Sequence, residues 1–298
     1  MRRVDILALV AMAGWGIAYV PSAWLLEEWP ILAAAGARFA LGGALLMGAL
    51  ALAGSDLRPG VGVGVVAWVS LTQTVLFYAA VFWGIVHAGA GLSALLSNTD
   101  PLFIAILAVL VLGERLTPRQ WGGVVVGLVG TAVVVWDGPA WPPAVSFDAA
   151  IILGGALVWS IGTIAVARGV RDRARPLALA AWQMLVGGLA LMGTGALIEG
   201  PPSVDGRAFA LVALTAVVGA AVPMALFYLA LVRAPAGEVS AWFFLVPVIG
   251  VLSAWVLLGE TPDASLVFGL ITISCGLWLV MARRVAHVGG LVKSPPPP

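Results

Sequence analysis

The stretch Pro101 to Glu114, PLFIAILAVLVLGE, decides the fold, because it returns as Pro247 to Glu260, PVIGVLSAWVLLGE, 146 residues later without a gap. Each copy is a proline, a run of apolar or small residues long enough for three helical turns, and a Gly-Glu pair. The same offset pairs Val86 with Val232, Gly91 with Gly237, Gly123 with Gly269 and Gly130 with Gly276. An offset of 145 pairs Gly42-Gly43 with Gly187-Gly188 and Leu46-Met47-Gly48 with Leu191-Met192-Gly193. The chain therefore reads as two related halves, separated by Asp137 to Phe147 with its prolines Pro139, Pro142 and Pro143.

Outward from that repeat the composition has one character. Of the 298 residues, 62% are hydrophobic and 10% charged, and the mean hydropathy is +1.09, against roughly 25% charged in a soluble domain. Crossing a bilayer takes about 20 mostly apolar residues. Apolar runs bounded by charges or by Pro and Gly predict ten helices: Ile6–Leu26, Ile31–Leu52, Val61–Val86, Gly91–Leu112, Gln120–Trp136, Ala149–Ala167, Leu177–Ile198, Ala208–Val232, Val239–Leu258 and Ser265–Met281. Met1-Arg2-Arg3 and Ala11-Met12-Ala13 have the look of a cleavable signal peptide, but the apolar run continues to Leu26 and reads as the first span. The expectation is an all-α polytopic membrane protein, with residues 5–136 and 148–283 as its two five-helix units and 284–298, ending in Pro295 to Pro298, as a disordered tail.

Composition also excludes. A single cysteine, Cys275, leaves no internal disulfide and no Cys-based cluster. With only His87 and His287, the chain has neither a His-rich metal site nor a His-based intramembrane acid–base mechanism, so no metal, no cofactor and no catalytic residue is expected. A net charge of +1 argues against nucleic acid as a partner. The partners are a small-molecule substrate and the lipid bilayer, with monomer or homodimer left open.

Positive charge sets orientation, because Lys and Arg stay on the cytoplasmic side of short loops. With the N-terminus inside, Arg2, Arg3, Arg58, Arg115, Arg119, Arg168, Arg171, Arg173, Arg175, Arg233, Arg283, Arg284 and Lys293 are cytoplasmic, Arg207 alone is external, and Arg38 lies within the membrane. Both termini are then cytoplasmic. Five helices separate equivalent positions, so Gly113-Glu114 faces the cytoplasm and Gly259-Glu260 the outside: the halves are inverted repeats, a construction common among secondary transporters.

The two Pro-to-Gly-Glu stretches, Arg38-Phe39 in the second helix and Gly14-Trp15-Gly16 in the first resemble the EamA-like branch of the drug/metabolite transporter superfamily, over about residues 5 to 283. That resemblance implies ten helices as two inverted five-helix repeats, a cytoplasmic (inner) membrane location and export of small metabolites, amino acids and possible aromatic ones among them. It also implies a central cavity bounded by the first, third, fourth, sixth, eighth and ninth helices, near Trp15, Tyr19, Tyr78, Phe82, Trp159, Tyr228 and Trp242. For each of these, helix or lipid packing stays open beside cavity lining.

Features found in both halves read as scaffold. Glu114 and Glu260 read as caps or loop anchors rather than ligands, and the glycine rows as close helix packing inside the monomer rather than a dimer seam. Pro21, Pro101, Pro223 and Pro247 interrupt helical hydrogen bonding and read as hinges or as static bends. Ser97-Asn98-Thr99-Asp100 stands opposite Phe243-Phe244-Leu245-Val246 in the other half, so its polarity belongs to one half only, and Asn98 reads as a further substrate-cavity candidate. Asp100 and Arg38 fall at similar depth at about 1.5 Å rise per residue, as a structural ion pair or as a proton- or substrate-coupling site. Thr74, Tyr78 and Phe82 share one helix face.

Function follows as a secondary transporter exporting neutral or zwitterionic metabolites by alternating access. Phosphate-bearing cargo needs more than one intramembrane cation, and Arg38 is the only candidate. A small multidrug-resistance arrangement needs a carboxylate deep in the first helix, where Trp15 stands. A channel or an intramembrane enzyme are the competitors from other classes. The charge distribution generates a direct test: an engineered Pro143→Cys should label from outside in intact cells, and labelling only after permeabilisation would overturn the inverted topology.

Overall fold

The computed structural model describes residues 3–113, 115–135, 146–169, 175–203, 205–233 and 241–281. Glu114, Gly237, the loop prolines Pro139, Pro142 and Pro143, and the tail from 284 lie outside the described residues, as does the side chain of Tyr228. Every regular element among the described residues is helical: α1 (Arg3–Ile17), α2 (Tyr19–Glu28), α3 (Ile31–Leu52), α4 (Val63–Ser70), α5 (Phe77–Ala88), α6 (Ala90–Ser97), α7 (Asp100–Leu112), α8 (Pro118–Val135), α9 (Phe147–Gly169), α10 (Pro176–Ile198), α11 (Gly206–Ala216), α12 (Val222–Arg233), α13 (Leu245–Leu258) and α14 (Ala264–Met281). Seven stretches among the described residues are long and apolar enough to cross a membrane, Asp5–Glu28, Ile31–Leu52, Val63–Ala88, Ala90–Val111, Phe147–Ile164, Pro176–Ile198 and Gly206–Phe227, with Leu245–Leu258 and Ala264–Val280 as shorter apolar helices. Large apolar side chains such as Leu110, Val256 and Ile271 point outward, as they must where hydrocarbon replaces water. The chain is a polytopic all-helical membrane protein.

Several expected continuous helices are broken. The first span divides at Ala18, the fourth at Asn98-Thr99, and the third and eighth pass through π-helical turns at Leu71–Leu76 and Val217–Ala221, while a 3₁₀ turn at Ala241–Phe244 precedes α13. Four of these breaks have a proline within three residues of the helix that follows: Pro21, Pro101, Pro223 and Pro247. Proline has no N–H for the carbonyl four residues back and crowds it. The π turn at Leu71–Leu76 contains no proline, which is why the sequence does not foretell it.

Two seams hold the bundle. In α3 against α10, a Cβ on Gly36 would come within 2.8 Å of the Gly188 carbonyl, and one on Gly195 within 2.8 Å of the Ala33 nitrogen. In α8 against α14, a Cβ on Gly123 would meet the Gly276 carbonyl at 2.7 Å, and one on Gly276 the Gly123 carbonyl at 2.6 Å. The glycine rows thus serve contacts within the chain. Helices in lipid associate through such close packing because lipid removes the hydrophobic drive between them. Around these seams α5 packs on α9, α1 on α12 and α13, α7 on α9, and α6 on α13.

The repeated Gly-Glu pair has a geometric reading. Gly113 ends α7 with φ +68° in the left-handed region, and Gly259 follows α13 with φ +74°, conformations that glycine adopts without Cβ strain. Glu260 then turns back to α6, its two oxygens accepting the N–H groups of Ala90 and Gly91 at 2.8 Å each. Glu199 caps α3 in the same way through Leu32 and Ala33. At the other end of the bundle Asp56 pairs with Arg175; the Arg58 N–H and the Arg175 guanidinium hold its carboxyl below the usual carboxylate range. Asp263, which accepts from the Leu266 N–H and the Ser265 hydroxyl at the start of α14, is lowered for the same kind of reason.

The seam gives a matched pair of variants on one helix. Gly188 touches the Gly36 and Ala40 backbone, whereas a Cβ on Gly193 meets nothing within 4 Å. Gly188→Leu should lower detergent thermal stability by about 1–3 kcal/mol or prevent folding, as overpacking does, and Gly193→Leu should leave the melting temperature unchanged.

Candidate substrate cavity

The helix breaks converge on one internal space. Pro223 offers no N–H to the carbonyl of Gly219, four residues earlier, and the Arg38 guanidinium takes that acceptor instead, Nη2 donating at 2.7 Å. Nη1 donates to the Ser22 hydroxyl at 2.9 Å, and that hydroxyl donates to the Ala18 carbonyl at the break in the first span. Gly219 must lack a side chain, since a Cβ there would lie 2.6 Å from Ala18 Cβ and from Arg38 Nη2. Arg38 is 4% exposed, and its guanidinium carbon stands 5.0, 5.6 and 5.6 Å from the ring centres of Phe39, Tyr78 and Phe82. Cation–π attraction contributes at such distances, most where water is excluded.

Arg38 forms one wall of a cavity of about 100 Å³, enough for several waters or a small solute. Trp15, Tyr19, Tyr78, Asn98, Asp100 and Trp159 line it too, so most of the residues expected from the sequence meet in one place. Tyr19 and Ser97 share a hydroxyl hydrogen bond of 2.6 Å, and Asn98 Nδ2 donates to the Ala94 carbonyl at 2.7 Å. Trp15 stacks on Phe243 at 5.8 Å and meets Phe227 edge-on at 5.4 Å; Trp159 lies 4.8 Å from Phe77 and 6.4 Å from Tyr78. The Trp15 indole N–H is buried without an acceptor among the described residues. Among the described residues no cluster of three His, Cys, Asp or Glu side chains is placed to hold a metal ion.

Arg38 and Asp100 border the same cavity but form no ion pair with each other. The guanidinium is occupied by Ser22 and Gly219. Asp100 opens α7, where the positive end of the helix favours an anion; its backbone carbonyl accepts from Ser160. Similar depth, which helical rise supplies, does not fix which way around the bundle two side chains point.

Other expectations fall elsewhere. Phe82 is wholly buried beneath Arg38 and supports the cavity from behind. Trp242 packs with Leu7 and Phe227 against Ala8 and Ala230, while its neighbour Phe243 lines the cavity; the 3₁₀ turn rotates this stretch relative to a straight helix. The Tyr228 side chain lies outside the described residues. Pro21, Pro101, Pro223 and Pro247 all flank the breaks.

Sequence reasoning missed Ser22, Gln73, Gln183, Phe227 and Phe243. A signal existed for Gln183: at the 145-residue offset that aligns Gly42-Gly43 with Gly187-Gly188 it is the counterpart of Arg38. Gln73, whose Nε2 donates to Thr163 at 2.9 Å, corresponds to Gly219 at the 146-residue offset. Each is an amide within an apolar span, where polar groups are rare and functional.

The sequence model of the EamA-like transporter family matches this chain twice, over residues 2–136 and 147–282. A probable amino-acid metabolite efflux pump of Salmonella typhimurium is 26% identical over 309 aligned positions, covering 97% of this chain and 99% of that one. A probable terminal-alkyne amino-acid exporter of Streptantibioticus cattleyicolor is 32% identical over 212 positions, 69% of this chain and 68% of that one. A solved crystal structure superposes with a TM-score of 0.67 at 19% identity, covering 94% of this chain and 96% of its own, a likeness of fold.

The aromatic wall yields a prediction. Tyr78→Ala or Trp159→Ala should change the relative transport of large and small cargo by about tenfold, the scale on which pocket shape discriminates, with little loss of folded yield. Unchanged ratios for every cargo in both variants would make these residues packing.

Proposed function

Because the chain belongs to the EamA-like transporter family, we propose that it is a secondary transporter exporting small neutral or zwitterionic metabolites, amino acids above all, by alternating access. The chain is a membrane transporter rather than an enzyme. The observation that carries the finer reading is a mostly apolar, aromatic-walled cavity with a few convergent polar groups, the usual make-up of a small-molecule site, placed where several helices break, as in transporters with discontinuous helices. Two relatives named for amino-acid efflux or export support the cargo class.

In this reading the chain crosses a bacterial inner membrane ten times with both ends in the cytoplasm, as two inverted five-helix repeats. Exchange of the halves supports that arrangement: it turns the α5–α9 contact into that of α12 with α1, and the α7–α9 contact into that of α13 with α1. Two interconvertible halves then supply the inward- and outward-open states by rocking about a fixed site. Phosphate-bearing cargo is disfavoured because Arg38 is the cavity's only cation among the described residues.

Counterflow in proteoliposomes tests the proposal. With unlabelled amino acids trapped inside, vesicles should accumulate the labelled counterpart, and repetition with and without a pH gradient should reveal proton coupling. No counterflow with any amino acid, alongside counterflow of a phosphate ester, would replace this cargo class.

A further inference from the structure

We propose that Arg38 and Asp100 form a two-point clamp for a zwitterion, Arg38 receiving the cargo carboxylate and Asp100 its ammonium, with the aromatic wall of the cavity taking the side chain. This rests on the amino-acid reading above and deepens it.

The two charges are an anomaly that the rest of the structure does not resolve. Both are at least nine-tenths buried, Arg38 at 4% and Asp100 at 8% exposure, and both line one cavity. Buried membrane charges ordinarily pair with each other, and these do not. The guanidinium has five N–H groups, of which the hydrogen bonds to Ser22 and Gly219 engage two; Nε is buried without an acceptor among the described residues. Among the described residues the Asp100 carboxyl has no ion pair and no hydrogen-bond partner on another side chain; the bond from Ser160 goes to its backbone carbonyl. Tyr78, whose ring centre lies 5.6 Å from the Arg38 guanidinium carbon, lines the same cavity as both charges.

Complementary charge completes such a site. A carboxylate alone would leave Asp100 unanswered, and an ammonium alone would leave Arg38 unanswered. A zwitterion answers both and carries no net charge through the membrane. The rings of Tyr78, Phe77 and Trp159 supply an apolar contact for its side chain. The Ser22 and Gly219 contacts fix the guanidinium before cargo arrives, so little freedom is lost on binding.

The test uses the full-length protein in nanodiscs and three ligands of one shape: L-phenylalanine, phenethylamine and 3-phenylpropionate. Wild type should bind the amino acid about tenfold or more tightly than either single-charge analogue, the scale of one charged hydrogen bond. In Asp100→Asn that advantage over 3-phenylpropionate should vanish, with 3-phenylpropionate affinity unchanged within about twofold. In Arg38→Gln the advantage over phenethylamine should vanish instead. Thermal melting checks each variant's fold, and the wild-type ligand series decides the matter even if a variant does not fold. Equal wild-type affinity for all three ligands, or variants that weaken all three alike, would overturn the clamp alone. Failure of wild type to bind any amino acid would overturn the clamp and the amino-acid reading together.

Discussion

A guanidinium bound to a carbonyl that a proline has set free is the constraint on which the site depends. An arginine at bilayer depth costs about 2.5 kcal/mol or more on insertion scales, and a carbonyl without a partner there costs several more. Arg38 and the Gly219 carbonyl answer both deficits with one bond. The consequences spread outward. Pro223 must follow Gly219 by four residues, Gly219 must lack a side chain, and Ser22 must sit at the break in the first span to take the second donor. Phe39, Tyr78 and Phe82 then surround the charge with ring faces. The bond also ties α3 of one half to the π turn of the other, so it joins the halves at the cavity.

Close backbone packing and helix breaks fall in different elements. Backbone meets backbone along α3–α10 and α8–α14, where any side chain on Gly36, Gly188, Gly123 or Gly276 would collide, and those helices run without interruption. The breaks, at Ala18, Leu71–Leu76, Asn98-Thr99, Val217–Ala221 and Ala241–Phe244, fall in the other helices around the cavity, whose wall the unbroken α3, α9 and α10 complete through Arg38, Trp159 and Gln183. Irregular backbone at membrane depth is tolerated where it is buried in protein or lines a cavity, and freed carbonyls there are available to a ligand or to a side chain such as Arg38. A scaffold of uninterrupted pairs can hold its shape while broken helices change theirs.

The large features were legible in the sequence because they depend on local, periodic properties. Apolar runs give the helices, the doubled Pro-to-Gly-Glu stretch gives two related halves, and glycine rows give close crossings. Arg38, Asp100, Trp15 and Trp159, singled out in the sequence, all border one cavity. What escaped depends on azimuth and on local winding. Helical rise placed Arg38 and Asp100 at one depth but not side by side. A one-residue choice between Trp242 and Phe243 turned on a 3₁₀ turn, and the π turn at Leu71–Leu76 rests on no proline. Gln183 was hidden only because charge was sought; as Arg38's counterpart in the repeat it was there to be read.

That correspondence bears on how a symmetric frame can hold a directional cargo. At the repeat offsets Arg38 faces Gln183, Tyr78 faces Met224, Val81 faces Phe227 and Asp100 faces Val246, and all eight line the cavity. The cavity therefore lies where equivalent positions of the two halves meet, yet both charges come from the first half and neutral groups answer them from the second. Were the charges duplicated, the cavity would hold two cations and two anions, with like charges close together in a low dielectric and two equivalent poses for one cargo. Keeping one of each leaves a single polar axis. Repetition sets the shape of the bundle, and the substitutions that break the repetition leave both charges of the cavity on residues of the first half.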